Sequence, residues 1–249
     1  MMRGVRRRAA LAIIGVAMVV LTGCQPGDPF SGRGDFRPIR YRLTATVETP
    51  QGERTAFSVI ESSTNRGITR VQARGEAVAV DLPRGEALFV LLRSASMVDW
   101  AASLPGIPVI EADVPAHGLS ERQAQLERQF AAMARDRDVY YLWGPGVAKE
   151  RAQYLPYMVR FRDPADPKSV EQVDPVDLAK TFGPGYRLKS LTVQVTDEPV
   201  TTGIGKRLGW LERYRSENMR LNGSNSVAIK TNDLSDNLGT GAFSTGYKK

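Results

Sequence analysis

His117 is the only histidine of this chain, and it closes the run Glu111-Ala-Asp113-Val-Pro-Ala-His117. An imidazole oriented by a carboxylate can draw a proton from a nucleophile, as hydrolases require. The nucleophile is missing, because no Gly-x-Ser-x-Gly elbow occurs in the sequence. A loop histidine ahead of a helix accounts for the same residues. Zinc fits no better: the one histidine and the one cysteine, Cys24, leave carboxylates as the remaining ligands. A second group, Asp163, Asp166, Glu171, Asp174 and Asp177, is dense in the oxygen ligands that calcium prefers. It lacks EF-hand spacing, however. Asp163 and Asp166 each precede proline, as turn starters do. Asp174 stands where a helix cap would, with Pro175 at the first helical position. Two of these carboxylates could also form a glycosidase pair, for which the criterion is spatial rather than sequential. These residues assign no metal, no cofactor and no catalytic set.

Gly203-Ile-Gly205-Lys206-Arg207 invites comparison with a phosphate-binding loop and fails it. Val200 stands where the first glycine is needed, and Arg207 where a Ser or Thr would hold magnesium. What is left is a cationic corner, Lys206 and Arg207, beside Trp210. Arginine mixed with aromatic residues suits a binding surface. It suits a solvated face equally well.

The chemistry with the fullest sequence context is acylation of Cys24. Arg3, Arg6, Arg7 and Arg8 make a basic start, and Ala9 to Leu21 is an apolar run of 13 residues. A bilayer-spanning helix needs about 20, whereas a signal-peptide core is this short. The run ends in Leu21-Thr22-Gly23-Cys24, which resembles the lipobox of bacterial lipoproteins. That resemblance implies a diacylglyceryl thioether on Cys24, cleavage after Gly23, and palmitate-type acyl chains holding the mature protein to a membrane. Two or more chains give stable anchoring where one does not. Gln25 follows the cysteine in place of aspartate. By resemblance to bacterial sorting rules, this favours the outer membrane over the inner one, with the folded part facing the periplasm.

The full chain of 249 residues carries 34 Lys+Arg against 27 Asp+Glu, a net charge of +7. Without the four leader arginines it is close to +3, so the charge gives no reason to expect nucleic acid. With its cysteine committed to lipid, the domain can hold no internal disulfide, although the envelope would permit one. Stability must come from a packed core, and the 226 residues from Cys24 onward are enough for one.

Residues 24–38, rich in Gly, Pro, Ser and Arg, read as a flexible tether. Strict alternation of Tyr41, Leu43, Ala45 and Val47 with polar residues predicts a strand, and 40–62 reads as a hairpin turning at Pro50-Gln51-Gly52. A second strand pair is expected over 77–82 and 87–92, around Pro83-Arg84-Gly85. Further strands are expected over 139–143, 155–161 and 187–196. Ser120 and Gln123 have capping-box spacing, and Leu126, Phe130 and Met133 form a helical stripe. A short helix is expected over 175–182, and 204–211 reads as helical or irregular. From Leu221 the chain turns to Asn, Ser, Gly, Thr and Asp and is expected to lack a core of its own, disordered or draped. The organisation expected is a signal over 1–23, a single globular domain over 39–220 and a low-complexity tail over 221–249. The fold class is α+β, rich in largely antiparallel strands, sandwich-like, with two or three short helices.

Phe161-Arg-Asp-Pro-Ala-Asp-Pro-Lys-Ser-Val170, Val173-Asp-Pro-Val-Asp-Leu178 and Phe182-Gly-Pro-Gly185 are followed by Thr196-Asp-Glu-Pro-Val-Thr-Thr-Gly203, Lys206-Arg-Leu208 and Trp210-Leu211. With the hairpin from Tyr41 to Glu61, these resemble an alphaproteobacterial family of proteins without an assigned activity. The resemblance spans most of 40–245, and its specific part is 161–211. It supplies context and no catalytic residues. Two functional expectations follow. The first is an envelope lipoprotein whose domain binds an envelope protein, a lipid or a cell-wall component. The second is a membrane-tethered hydrolase with a site near His117 or the 163–177 carboxylates.

Overall fold

The computed structural model describes residues 38–64, 71–104, 132, 135–226 and 231–246. Its first element is the expected hairpin, β1 (Ile39–Thr49) and β2 (Gly52–Thr64), paired from Ile39↔Ser62 to Thr49↔Gly52. Thr49 Oγ1 donates to the Gly52 carbonyl at 2.7 Å and accepts from the Gln51 N–H at 3.2 Å, which locks the two-residue turn. Tyr41, Leu43, Ala45 and Val47 have no exposed surface, so the period-two pattern does mark one buried face.

Among the described residues the strands form two antiparallel sheets. Chain order adds β3 (Val71–Glu76), β4 (Val78–Asp81), β5 (Ala87–Val90), β6 (Tyr140–Trp143), β7 (Met158–Phe161), β8 (Val170–Val173), β9 (Arg187–Val195) and β10 (Ser244–Thr245). The first sheet runs β10-β3-β2-β1-β9-β6, and the second β4-β5-β7-β8. Only Ala77 separates β3 from β4, so the chain changes sheets at one corner of a sandwich. The fold is thus the expected β-rich α+β sandwich.

The second sheet is apolar on both faces. Val78, Val80, Leu88, Val90, Met158 and Val173 pack inward with β1 and β9. Ala77, Phe89, Leu91, Val159, Phe161 and Val170 face the other way. This explains why Phe89 to Leu92 is continuously apolar: successive side chains enter different cores. The outer core is closed by α3 (Ile204–Arg207), α4 (Leu211–Ser216) and the C-terminal segment. Phe161, Trp210 and Phe243 meet there at centroid distances of 5.7–5.8 Å.

Several elements differ from expectation. Asp174 Oδ1 accepts from the Val176 N–H at 2.9 Å and holds a turn, and the helix, α2 (Ala179–Phe182), starts only after it. β3 and β8 have no counterpart in the sequence reading, because VQARGE and VEQV are polar and short. The 97–104 region contains α1 (Trp100–Ser103), whose carbonyls accept from side chains of the hairpin: Tyr41 OH to Ala101, and Ser62 Oγ to Ala102 at 2.7 Å. Burial raises the Tyr41 phenol well above its ordinary pKa, so it remains a donor. Ala132, Arg135 and Asp136 are helical, and Arg137 takes φ +52°, where the expected helix fades. The stripe Leu126, Phe130 and Met133 lies outside the described residues. After residue 220 the chain drapes over the outer core, adding α5 (Leu234–Asn237) and the wholly buried Leu221, Leu238 and Phe243. Residues 221–226 and 231–246 thus contribute to the same outer core as β5, β7, α3 and α4.

Phe243→Ala should lower unfolding free energy by about 3–5 kcal/mol in urea titration, the cost of emptying a buried aromatic site. A change below about 1 kcal/mol would show that the C-terminal segment is not part of the cooperative core.

Candidate functional site

Cys24, Glu111, Asp113 and His117 lie outside the described residues. The 163–177 carboxylates lie within them and hold local structure. Asp163 Oδ1 accepts from the Ala165 N–H at 2.9 Å and Asp166 Oδ1 from the Lys168 N–H at 3.0 Å. Glu171 is gripped by Arg160 and Arg162, and Lys180 lies within 3.6 Å of Asp174 and 3.3 Å of Asp177. Among the described residues no group of three or more His, Cys, Asp or Glu side chains is placed to hold a metal ion.

The cationic corner separates. Trp210 is 6% exposed, donates from Nε1 to the Pro164 carbonyl at 3.0 Å, and belongs to the outer core. Arg207 forms a two-pronged pair with Asp81, and Lys206 is exposed to solvent. Trp210 therefore offers no ring for a ligand held by Lys206 and Arg207.

A different place concentrates polar groups. The chain leaving β9 returns across the outer face of β2. There Thr201 Oγ1 accepts from the Val59 N–H at 2.8 Å and the Thr201 N–H donates to the Val59 carbonyl at 3.0 Å. Between this crossing and the β3–β10 edge lies a cavity of about 480 Å³, lined by Arg40, Arg74–Glu76, Pro199–Thr202, Thr245 and Gly246. Its walls come from residues 40, 74, 200 and 245, which the strand register brings together.

Two of its charged groups, Arg40 and Arg74, form a ladder with Glu61. Arg40 opposes Glu61 on β1 and β2, and Glu61 opposes Arg74 on β2 and β3. Arg40 Nε donates to Glu61 Oε2 at 2.8 Å, and Arg74 Nη2 lies 3.1 Å from Oε1. Burial alone would raise the Glu61 carboxyl, but the two guanidiniums hold it below the usual glutamate range. One carboxylate between two guanidiniums leaves the trio with a net charge of +1. Glu76 is 2% exposed and accepts from the Ile204 N–H at 2.8 Å, which ties the cavity wall to the start of α3. Gly246, at φ +79°, packs on the stem of Arg74, and a Cβ there would come within 2.7 Å of the Arg74 Cβ. Arg74 is thus held at both its stem and its tip. Thr245 Oγ1 is buried in the wall without a hydrogen-bond partner.

No protein-family model, curated protein or solved structure matches this chain. The site therefore stands on its own geometry. Sequence reasoning passed over Arg40 and Arg74 because each is one arginine among many. Only cross-strand register places them on one carboxylate.

The depressed pKa of Glu61 makes stability pH-dependent with a definite sign. Its contribution is present above the ordinary value of 4.5 and is lost as pH falls through the lower folded value. Glu61→Gln should cost about 1 kcal/mol at neutral pH. In urea unfolding, the gap between wild type and variant should narrow as pH drops below 4.5. A gap independent of pH would mean that the ladder carries no linkage.

Proposed function

We propose that the chain is a bacterial envelope lipoprotein, held by acyl chains on Cys24 and facing the periplasm, whose domain is a binding module. The observation that carries this reading is the position of the cavity. Arg40, which lines it, lies two residues beyond Pro38, where the described fold begins. Fourteen residues, Gln25 to Pro38, would separate the acylated cysteine from that point. As a coil they reach about 20 Å. On this reading the tether would join the domain beside the cavity and would put the site within reach of the membrane surface.

Binding is favoured over hydrolysis by the use already made of the described carboxylates. Asp163, Asp166 and Asp174 hold turns, while Glu171 and Asp177 sit in ion pairs. A general acid must instead be kept neutral near the scissile bond. A packed domain is suited to presenting a fixed cavity to a ligand.

Cells fed an alkyne fatty acid test the anchor. The wild-type protein should carry the label on a peptide beginning at Cys24, and sediment with membranes. Cys24→Ala should take up no label and retain residues 1–23. Equal labelling of the variant, or a wild-type chain still bearing Met1, would overturn the reading.

A further inference from the structure

We propose that the cavity between β3, β10 and the 199–202 crossing binds a glycerol-linked phosphate, held by the guanidiniums of Arg40 and Arg74. This rests on the cavity being the binding site of the module proposed above, and it names the ligand class.

Arg40 contacts Glu61 through Nε, and Arg74 contacts it through Nη2. Among the described residues the rest of both guanidinium forks has no further partner and remains for a ligand, and their side chains are 38% and 52% exposed. Arginine forks match the oxygens of a phosphate in a way that a lysine point charge does not. Glu61 fixes where they stand, and Gly246 supports the Arg74 stem, so little side-chain freedom is lost on binding. The charged residues that line the site are Arg40, Arg74 and Glu76, and Glu61 pairs with both arginines. Glu76 accepts the Ile204 N–H, and these four charges sum to zero, so a phosphate would be held by the open edges of the two guanidinium forks and not by an excess of positive charge.

The neutral walls suit the rest of such a molecule. Thr202 brings a hydroxyl-bearing side chain to the lining, beside Thr201, whose Oγ1 already accepts the Val59 N–H, and Pro199 and Val200 bring apolar surface. A χ1 rotation of Thr245 would exchange its buried hydroxyl for its methyl group. The volume of about 480 Å³ exceeds what an inorganic ion needs, which favours a phosphate with an organic group attached. Two sources share this chemistry: the headgroup of a membrane phospholipid within tether reach, and a free glycerol phosphate.

The test uses full-length, acylated protein in nonionic detergent, with its acylation state measured by mass spectrometry. Calorimetric titrations with glycerol 1-phosphate and with dihexanoyl phosphatidylglycerol separate the free from the lipid source. Dihexanoyl phosphatidylcholine controls for headgroup charge. Saturable binding of one or both anionic probes is expected. Arg74→Gln and Arg40→Gln should each weaken it at least tenfold, and Thr202→Val should weaken it severalfold. Arg187→Gln, at the Glu48 end of β9, should change it less than twofold. Tighter binding of the lipid probe assigns the headgroup as source, and tighter binding of glycerol 1-phosphate assigns the free metabolite. The proposal is overturned if neither anionic probe binds saturably. It is also overturned if folded Arg74→Gln and Arg40→Gln bind as the wild type does. Acylated protein without phosphate binding would sink this ligand and leave the lipoprotein reading standing. Unacylated protein that binds phosphate would do the reverse.

Discussion

The second sheet must be covered twice, and most of the architecture follows from that requirement. A four-stranded sheet whose residues are apolar on both faces cannot sit at the surface of a layered protein. β1 and β9 cover the inner face with Tyr41, Leu43, Ala45, Leu191 and Val193, all 1% exposed or less. Among the described residues no further sheet covers the outer face. The chain meets that need with α3, α4 and the segment ending at β10, which places Trp210, Leu211, Leu238 and Phe243 over Phe89 and Phe161. Burying a large side chain is worth about 1.5–3 kcal/mol. A segment poor in apolar residues therefore orders by contributing a few large ones at the right places.

The same cover builds the cavity. The C-terminal strand can reach the β3 edge only after crossing the outer core, and Ser244↔Glu76 fixes its arrival. The Phe243 carbonyl accepts the Ala77 N–H at 2.8 Å, at the corner where the chain changes sheets. Thr245 and Gly246 follow directly and form one wall. The opposite wall is the stretch between β9 and α3, which must lie over β2 for Ile204 to enter the outer core. Core packing and site geometry are thus coupled through three short segments. Loss of the outer core would open the cavity as well as destabilise the fold.

Elements with a period and a punctuated turn were legible in the sequence. The β1–β2 hairpin and β9 alternate apolar and polar residues, and the β4–β5 pair brackets Pro83-Arg84-Gly85. β3 and β8 were not, because an edge-side strand with charged side chains lacks contrast between its faces. Glu171 on β8 gives the reason: it is there for Arg160 and Arg162, partners supplied by β7 and by the residue that follows it. The C-terminal segment, expected to be disordered or draped, is draped, and its contribution to the outer core was not legible for a related reason. Its composition reports what it lacks, whereas its order depends on where Leu221, Leu238 and Phe243 fall. The candidate site was illegible altogether. Trp210 attracted attention beside Lys206 and Arg207, yet its ring serves the core. Arg40, Glu61 and Arg74 became a unit only once register placed them side by side.

The ladder does little for the stability of the fold. An ion pair near the surface contributes about 0–1 kcal/mol, and a partly buried one must also offset desolvation. A row of threonines, such as Thr46 opposite Thr55 further along the same face, satisfies the sheet without that cost. Like charges on alternate strands, one carboxylate between them and a glycine under one stem are more than strand pairing requires. They hold two guanidiniums at fixed positions beside an opening. Such preorganisation lowers the entropy lost when a ligand is bound. The physical value of the ladder therefore lies in the geometry that it imposes on the cavity, beside the start of β1.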